Sequence, residues 1–275
     1  MELNLTYLAT LRRELSELLP DGQHRLFVIG AFANQLWFDR HGGREYRGTR
    51  DVDFVIGVPD YEAYQQLRND IAQKWDRVTS VSNDHRLSLN DSAAIDLLPF
   101  HAYVEARDEH DCVELWQGPT HFVGLGEVAK NGLKTYEIGG TTIESATVPA
   151  LIGLKLIALD DRPEIRSKDA GDIGNLIRYY PKFEDGNIWD NHNDLFEADI
   201  EWLDVGYIAL GREIRRVFQD NESLCSRLVA ILDKITSGSL IGLRGIREAL
   251  EVEPDEAIGI INRVKQGLAE DRTNF

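Results

Sequence analysis

The stretch VIGAFANQLWFDRHGGREYRGTRDVDFVIGV, residues 28–58, holds two β-like segments and the helix between them. The first β-like segment is RLFVIG, residues 25–30, a short apolar run that predicts a buried strand ending at Gly30. Helical spacing follows and is stopped by the glycine pair at 42–43. Residues 50–58 alternate and are rich in Val, Ile and Phe, which predicts a strand. The order strand, glycine, helix, strand therefore indicates a mixed α/β fold.

The flanking sequence extends this pattern. Leucines recur every three or four residues in the first twenty, which predicts an amphipathic helix. Pro59-Asp60 is expected to open a helix that runs to about Trp75, with Pro59 in its first turn. After residue 146 only helical spacing remains, and it predicts helices at 148–159, 168–180, 209–218, 223–235 and 256–268. We therefore predict the α+β class, with a mixed sheet and flanking helices in residues 1–146 and an α-helical domain in residues 147–275. Further strands are predicted at 77–82, 85–90, 93–100, 112–116, 120–124 and 141–145.

Composition excludes several classes of protein. The 275 residues carry 30 Lys and Arg against 47 Asp and Glu, a net charge of −17. This charge excludes a protein that coats nucleic acid non-specifically, and two distant cysteines exclude a disulfide scaffold or a zinc ribbon. Apolar runs are far shorter than the ~20 residues of a membrane span. The expectation is a cytoplasmic protein without a membrane partner.

Three acidic residues form the first candidate site. Alternate residues of a strand share a face, so Asp51 and Asp53 point the same way and repel each other unless a cation lies between them. Asp96 lies within the apolar run AAIDLLPF, where a carboxylate is costly unless it is paired or bound to metal. Oxygen ligands of this kind suit Mg²⁺ or Mn²⁺ bound together with substrate phosphates. Gly30 would let a phosphate approach the backbone at the start of the next helix.

Each feature also has an ordinary structural explanation. Asp51 and Asp53 could belong to a salt-bridge network with Arg47 and Arg50 in an interaction protein. Asp96 could be paired with a buried arginine, and the glycine could be a plain turn residue.

The combined pattern resembles a known signature. Gly30-Ala31, the run RGTRDVD at 47–53 and Asp96 resemble the nucleotidyltransferase motif of the DNA polymerase β-like superfamily. The R-x-T-x-D-x-D is matched residue for residue in the AbiEii/AbiGii and MenT toxin-type branch, although Ala31 stands where that branch commonly has Gly or Ser. The resemblance implies a polymerase-β-like domain that binds a nucleoside triphosphate. It implies metal ligands at Asp51, Asp53 and Asp96, with Asp96 also as general base, and nucleotide contacts from Gly30, Ala31, Arg47, Thr49 and Arg50.

A second match lies in GLKLIALDDRPEIRSKDAGDIGNLI, residues 153–177. It resembles the later motif of the same branch, with a lysine on one helix and a basic-Asp-x-x-Asp run on the next. The resemblance implies that Lys155 takes part in catalysis and neutralises the triphosphate, and that Asp169 or Asp172 orients this lysine, binds the nucleotide or assists proton transfer. The alternatives are a solvated Lys155 and an ordinary i,i+4 ion pair between Lys168 and Asp172.

The predicted function is metal-dependent transfer of a nucleotide from NTP to an acceptor hydroxyl, with release of pyrophosphate. By resemblance the acceptor is tRNA or a protein, and a cognate antitoxin is a partner. An RNA acceptor needs a local basic surface, for which Arg12–Arg13, residues 44–50 and the arginines at 212, 215 and 216 are candidates. The alternatives are transfer to a small cationic molecule, of the antibiotic-modifying type, and a catalytically silent binding or antitoxin-like module of the same fold.

One acidic segment remains outside these motifs. Residues 183–205 contain eight acids and no Lys or Arg, which predicts either a solvated face or a docking surface for a basic partner. The five tryptophans of the chain are expected to anchor the core.

Overall fold

A computed structural model of the chain describes residues 4–19, 25–42, 49–82, 85–101, 123–197 and 200–270. Packing divides the chain into two compact units, one of residues 1–129 and 133–147 and the other of residues 130–132 and 148–275. The described residues form a seven-stranded mixed sheet and eleven α-helices, so the predicted α+β class is confirmed.

The sheet contains both parallel and antiparallel neighbours. Its strand order is β3-β4-β5-β2-β1-β7-β6, in which β2 runs parallel to β5 and antiparallel to β1. The elements up to residue 146 are α1 (Leu5–Leu18), β1 (Leu26–Ile29), α2 (Gly30–Arg40), β2 (Asp51–Val58), α3 (Tyr61–Lys74), β3 (Val78–Ser82), β4 (Arg86–Leu89), β5 (Ala94–His101), α4 (Leu125–Asn131), β6 (Leu133–Ile138) and β7 (Thr141–Ala146).

Burial along the central strands explains where the charged residues can lie. In β2, Val52 and the residues from Phe54 to Val58 are buried, whereas Asp51 and Asp53 are partly exposed. In β5, Asp96 is the partly exposed residue within an otherwise buried run at 94–99. The middle of the sheet is therefore apolar on both faces, and its carboxylates cluster where β2 begins.

The second unit is built from helices. Its core is formed by apolar side chains such as Leu156, Ile173, Leu176, Ile208 and Ile261, all fully or almost fully buried. Its helices are α5 (Val148–Asp161), α6 (Ser167–Phe183), α7 (Asp185–Asn191), α8 (Trp202–Phe218), α9 (Glu222–Thr236), α10 (Leu243–Leu250) and α11 (Pro254–Ala269), with a short 3-10 helix at Asn193–Glu197.

Several local details differ from the sequence predictions. Asp60 opens α3, because its carboxylate accepts a hydrogen bond from the Ala63 amide, but the helix begins at Tyr61 and Pro59 precedes it instead of lying in its first turn. Strand β6 and helices α4, α7 and α10 had no predicted counterpart. The strand predicted at 112–116 and residues 120–122 of the next one lie outside the described residues. Within the part of the chain that is described, no helix combines the length and apolar character needed to cross a membrane.

Candidate active site

Three carboxylates lie on one face of the sheet. The parallel pairing of β2 with β5 sets Asp53 directly beside Asp96, and Asp51 lies two residues before Asp53 on the same strand. Paired residues of neighbouring strands, and alternate residues of one strand, project to the same face. We call Asp51, Asp53 and Asp96 the acid cluster. The sequence contained the three residues, and the strand pairing brings them together.

Gly30 connects this cluster to the start of α2. Its φ of +68° lies in the left-handed region, and a Cβ built on it would be 2.0 Å from Asp53 Oδ2. The backbone therefore approaches the carboxylate more closely than any residue with a side chain permits. Because Gly30 is the first residue of α2, the unpaired amides of the first turn, including that of Ala31, begin beside the acid cluster.

Thr49 fixes the beginning of β2. Its hydroxyl donates to Asp51 Oδ1 at 2.5 Å and accepts from the Asp51 amide at 3.3 Å. This arrangement explains how a threonine two residues before the first aspartate orients that carboxylate. Arg50 is exposed, and Arg47 lies outside the described residues. A nucleotide contact for Thr49, Arg50 and Arg47 stays a prediction.

Arg86 is a member of the site that the sequence analysis missed. It lies on β4 in register with Asp96, its Nη2 donates to Asp51 Oδ2 at 3.2 Å, and its Nε is 3.7 Å from Asp96 Oδ1. The sequence offers one signal: in RLSL, Arg86 and Ser88 share a face opposite Leu87 and Leu89. That alternation places Arg86 on the polar face, but only the strand pairing identifies its partners.

Asp96 has an unusual environment for a carboxylate. Burial raises the pKa of Asp96, the charges of Arg86 and His85 lower it, and the charge of Asp51 raises it; the net direction is upward. Its Oδ1 is buried and has no hydrogen-bond partner. The ion pair with Arg86 therefore compensates the charge of Asp96 without satisfying this oxygen.

The donor atoms of the acid cluster fit a hard divalent cation. All are carboxylate oxygens on one face, and the buried Asp96 Oδ1 lacks a partner that a metal ion would supply. Across the described residues, no three or more His, Cys, Asp or Glu side chains are already arranged to hold a metal ion. Asp51 and Asp96 are turned toward Arg86 instead.

The second predicted group lies in the helical unit. Lys155 on α5 donates from Nζ to Asp169 Oδ1 and to Asp172 Oδ2, both at 2.8 Å and both on α6. We call these three residues the lysine triad. The Lys155 side chain is only 13% exposed, so the alternative of a solvated lysine is wrong. Burial lowers the pKa of Lys155, but the two carboxylates raise it above its ordinary value. Catalytic and nucleotide-binding roles for the triad stay predictions.

One candidate basic surface is not available for RNA. Arg212 and Arg215 are 5% and 7% exposed. Arg212 pairs with Asp194 and Glu270, and Arg215 pairs with Glu222. Both side chains neutralise acids that lie outside α8, so the expectation of a basic patch is wrong for Arg212 and Arg215. Arg216 is exposed but pairs with Glu213.

The acidic segment at 183–205 is partly neutralised as well. Asp194 pairs with Arg212, and Asp204 pairs with Arg263. Trp189 stacks on Phe196 with ring centroids 4.0 Å apart and is 55% exposed, so its predicted place in the core is wrong. The docking of a basic partner on this segment stays a prediction.

Comparisons with known proteins identify little beyond this geometry. No family model and no curated protein matches the sequence. One solved structure to which the chain is similar is that of an antigenic nucleotidyltransferase-like protein from Paracoccidioides brasiliensis. The two are 15% identical over 81% of this chain and 90% of the other, with a TM-score of 0.41. A likeness of this size does not assign an activity to the chain.

Proposed function

We propose that this protein is a metal-dependent nucleotidyltransferase that moves a nucleotide from NTP to an acceptor hydroxyl and releases pyrophosphate. One observation carries the proposal: the pairing of Asp53 with Asp96, which gathers the acid cluster beside the positive-φ Gly30 at the start of α2. Carboxylates on adjacent strands suit metal ligation, and the first amides of a helix suit a phosphate.

The chemistry follows from the charges of the site. Asp51, Asp53 and Asp96 would hold Mg²⁺ or Mn²⁺, which when bound lowers the pKa of a hydroxyl and neutralises phosphate charge. The amide of Ala31, in the first turn of α2, would donate to a phosphate oxygen. Asp96 accepts the proton of the acceptor hydroxyl as its oxygen bonds to the α-phosphorus. The bond from that phosphorus to the pyrophosphate oxygen breaks, and pyrophosphate leaves.

The acceptor is the finer part of the proposal. The match to R-x-T-x-D-x-D at 47–53 supports a toxin-type enzyme that modifies tRNA or a protein and has a cognate antitoxin. Burial of Arg212 and Arg215 removes one candidate RNA surface and favours, as the alternative, a small cationic acceptor for this acidic protein.

The test is transfer of label from each α-³²P-labelled NTP in the presence of Mg²⁺ or Mn²⁺. Three acceptors are compared: total tRNA, the protein itself and an aminoglycoside as a cationic molecule with hydroxyl groups. Asp53→Asn should abolish transfer, because it removes a metal ligand and leaves the strand intact. Asp39→Asn changes the same charge at an exposed position near the other end of α2 and should leave transfer unchanged.

Each outcome decides a part of the proposal. Transfer that survives in Asp53→Asn contradicts the site. A rise in melting temperature with NTP and Mg²⁺, but no transfer to any acceptor, indicates the silent binding module. If no NTP shifts the melting temperature and no label is transferred, the proposed function is wrong.

A further inference from the structure

Among the residues that the structure describes, Arg86 contacts two members of the acid cluster, Asp51 and Asp96. Strand β4 pairs with β5, which pairs with β2, so a side chain on β4 must reach across β5 to touch Asp51. The guanidinium makes a hydrogen bond to Asp51 through Nη2 and approaches Asp96 through Nε. A long, forked side chain makes this two-point contact possible.

The charge balance around Arg86 is incomplete. The single positive charge of Arg86 faces two carboxylates, Asp51 and Asp96, which leaves a formal excess of one negative charge among these three side chains. The contact with Asp96 at 3.7 Å is an ion pair without a hydrogen bond, and Asp96 Oδ1 has no hydrogen-bond partner. Arg86 therefore reduces the repulsion within the cluster but does not satisfy its oxygens.

The contacts of Arg86 also conflict with metal ligation. A hard divalent cation binds carboxylate oxygens at ~2.0–2.6 Å, and a guanidinium on the same oxygens would be repelled by it. The two cations thus compete for Asp51 and Asp96.

We infer that Arg86 is the internal counter-cation of the acid cluster, and that a divalent metal ion displaces it from Asp51 and Asp96. The inference rests on the proposed function, because it takes the acid cluster as the metal site. Its consequence is that Arg86 lowers metal affinity and at the same time stabilises the metal-free protein. Arg86 acts through the carboxylates and is a positioning residue.

The test measures Mn²⁺ binding directly, from the electron paramagnetic resonance signal of free Mn²⁺, with no substrate present. Arg86→Gln should bind Mn²⁺ about tenfold more tightly than wild type, because the ion no longer competes with a positive charge near the same oxygens. Arg86→Lys keeps the charge and should stay within about twofold of wild type. The matched control is Arg25→Gln, which removes an equal charge from the Arg25–Glu144 pair of the same unit and should not change the affinity.

A second measurement is independent of metal. Arg86→Gln, Asp51→Asn and the double variant are melted in the presence of EDTA. If Arg86 stabilises the metal-free cluster, the two single changes will be non-additive, because the second change removes an interaction already lost. Additive effects overturn the counter-cation role.

The outcomes separate the inference from the proposed function. Unchanged or weaker Mn²⁺ binding in Arg86→Gln, with normal binding by wild type, overturns the inference and leaves the proposed function intact. If no protein binds Mn²⁺, the proposed metal site and the displacement of Arg86 are both wrong. Tighter binding in Arg86→Gln but not in Arg25→Gln supports the inference.

Discussion

The acid cluster of the first unit and the lysine triad of the second unit use similar side chains in opposite ways. In the triad, one lysine contacts two carboxylates at 2.8 Å, and the three side chains are 13%, 12% and 9% exposed. In the acid cluster, the single arginine and Asp51 are 36% and 40% exposed. The triad is buried throughout, whereas the acid cluster is partly exposed at Arg86 and Asp51 and buried at Asp96, whose side chain is 14% exposed.

This difference indicates which charged residues stabilise the fold. In a buried ion pair, each charge compensates the other. Removal of one partner is strongly destabilising, because the remaining charge is buried without compensation. An open group with excess charge of one sign gains little from its exposed ion pair and can exchange its counter-cation for a ligand. We therefore expect changes in the triad to affect stability most and changes in the acid cluster to affect binding and catalysis most.

The largest expected effect on stability is that of Lys155→Met. It leaves Asp169 and Asp172 buried without their cation, which should cost about 3–5 kcal/mol of the free energy of unfolding. Guanidinium denaturation followed by circular dichroism measures this change. The triple variant that adds Asp169→Asn and Asp172→Asn removes the unpaired charges and should recover a large part of the loss.

The matched control is Lys265→Met. Lys265 pairs with Asp233 at 2.6 Å in the same unit, but the two side chains are 29% and 56% exposed. Its replacement should cost about 0.5 kcal/mol. If Lys155→Met costs no more than this control, the lysine triad does not stabilise the fold and the contrast with the acid cluster fails.

A smaller effect on stability, with complete loss of transfer, is expected for Gly30→Ala. The new Cβ would lie 2.0 Å from Asp53 Oδ2 at a φ of +68°, so either the helix start or the carboxylate must move. Gly42 has a similar φ of +64° with nothing within 4 Å of its Cβ position, and Gly42→Ala thus reports the backbone strain alone. We expect about 1 kcal/mol for Gly42→Ala and at least about 2 kcal/mol for Gly30→Ala.

Denaturation curves and the labelled-NTP assay together test this pair of glycines. Equal stability losses in the two variants, with transfer retained in Gly30→Ala, would show that the approach of Gly30 to Asp53 has no functional importance.

A near-zero effect on stability is expected for Asp51→Ala in the absence of metal. The change removes an exposed ion pair with Arg86 and a hydrogen bond from Thr49, but it also relieves repulsion within the acid cluster. These contributions have opposite signs, and the net change should stay within about 0.5 kcal/mol. A thermal melt in EDTA measures it. A loss above ~2 kcal/mol would support the alternative of a structural salt-bridge network.

The pH dependence of the lysine triad should be flat near neutrality. The carboxylates raise the pKa of Lys155 above its ordinary value despite burial, so its contribution is fully present below the unfolded pKa of about 10.4. That contribution declines only as the pH rises from there through the still higher folded pKa. The difference in unfolding free energy between wild type and the triple variant Lys155→Met, Asp169→Asn, Asp172→Asn should therefore be constant from about pH 6 to 9, a range below the pKa of the lysine and above the ordinary pKa of a carboxyl group. A difference that changes by more than about 1 kcal/mol within this window would place the titration of Lys155 elsewhere.

Much of the fold was predictable because periodicity is a local property. Leucines spaced every three or four residues in α1, and the alternating start of β2, predict their elements without tertiary information. The same approach missed β6 and α10, because LKTYEI lacks a continuous apolar face and α10 is only eight residues long. Short elements of this kind depend on their neighbours for stability.

The candidate site was predictable in its residue types and not in its charge pairing. The acids of the cluster stand out as polar residues in apolar strands, and Gly30 stands out at a strand–helix junction. Arg86 could not be assigned from sequence, since an arginine at a strand end is common and its partners depend on strand order. The arginines of α8 show the reverse error: Arg212 and Arg215 proved to be buried and paired, and the exposed Arg216 is paired with Glu213.

Spacings of two and of three to four residues are enough to predict the class of the fold, the two carboxylates that share a face of β2, and the lysine and acids on successive helices. Three features become visible only in the folded chain: Asp96 lies beside Asp53, Arg86 faces both Asp51 and Asp96, and Lys155 is buried between Asp169 and Asp172. The physical reason is that strand register and helix packing arise from contacts between residues far apart in the chain, and local periodicity does not contain them.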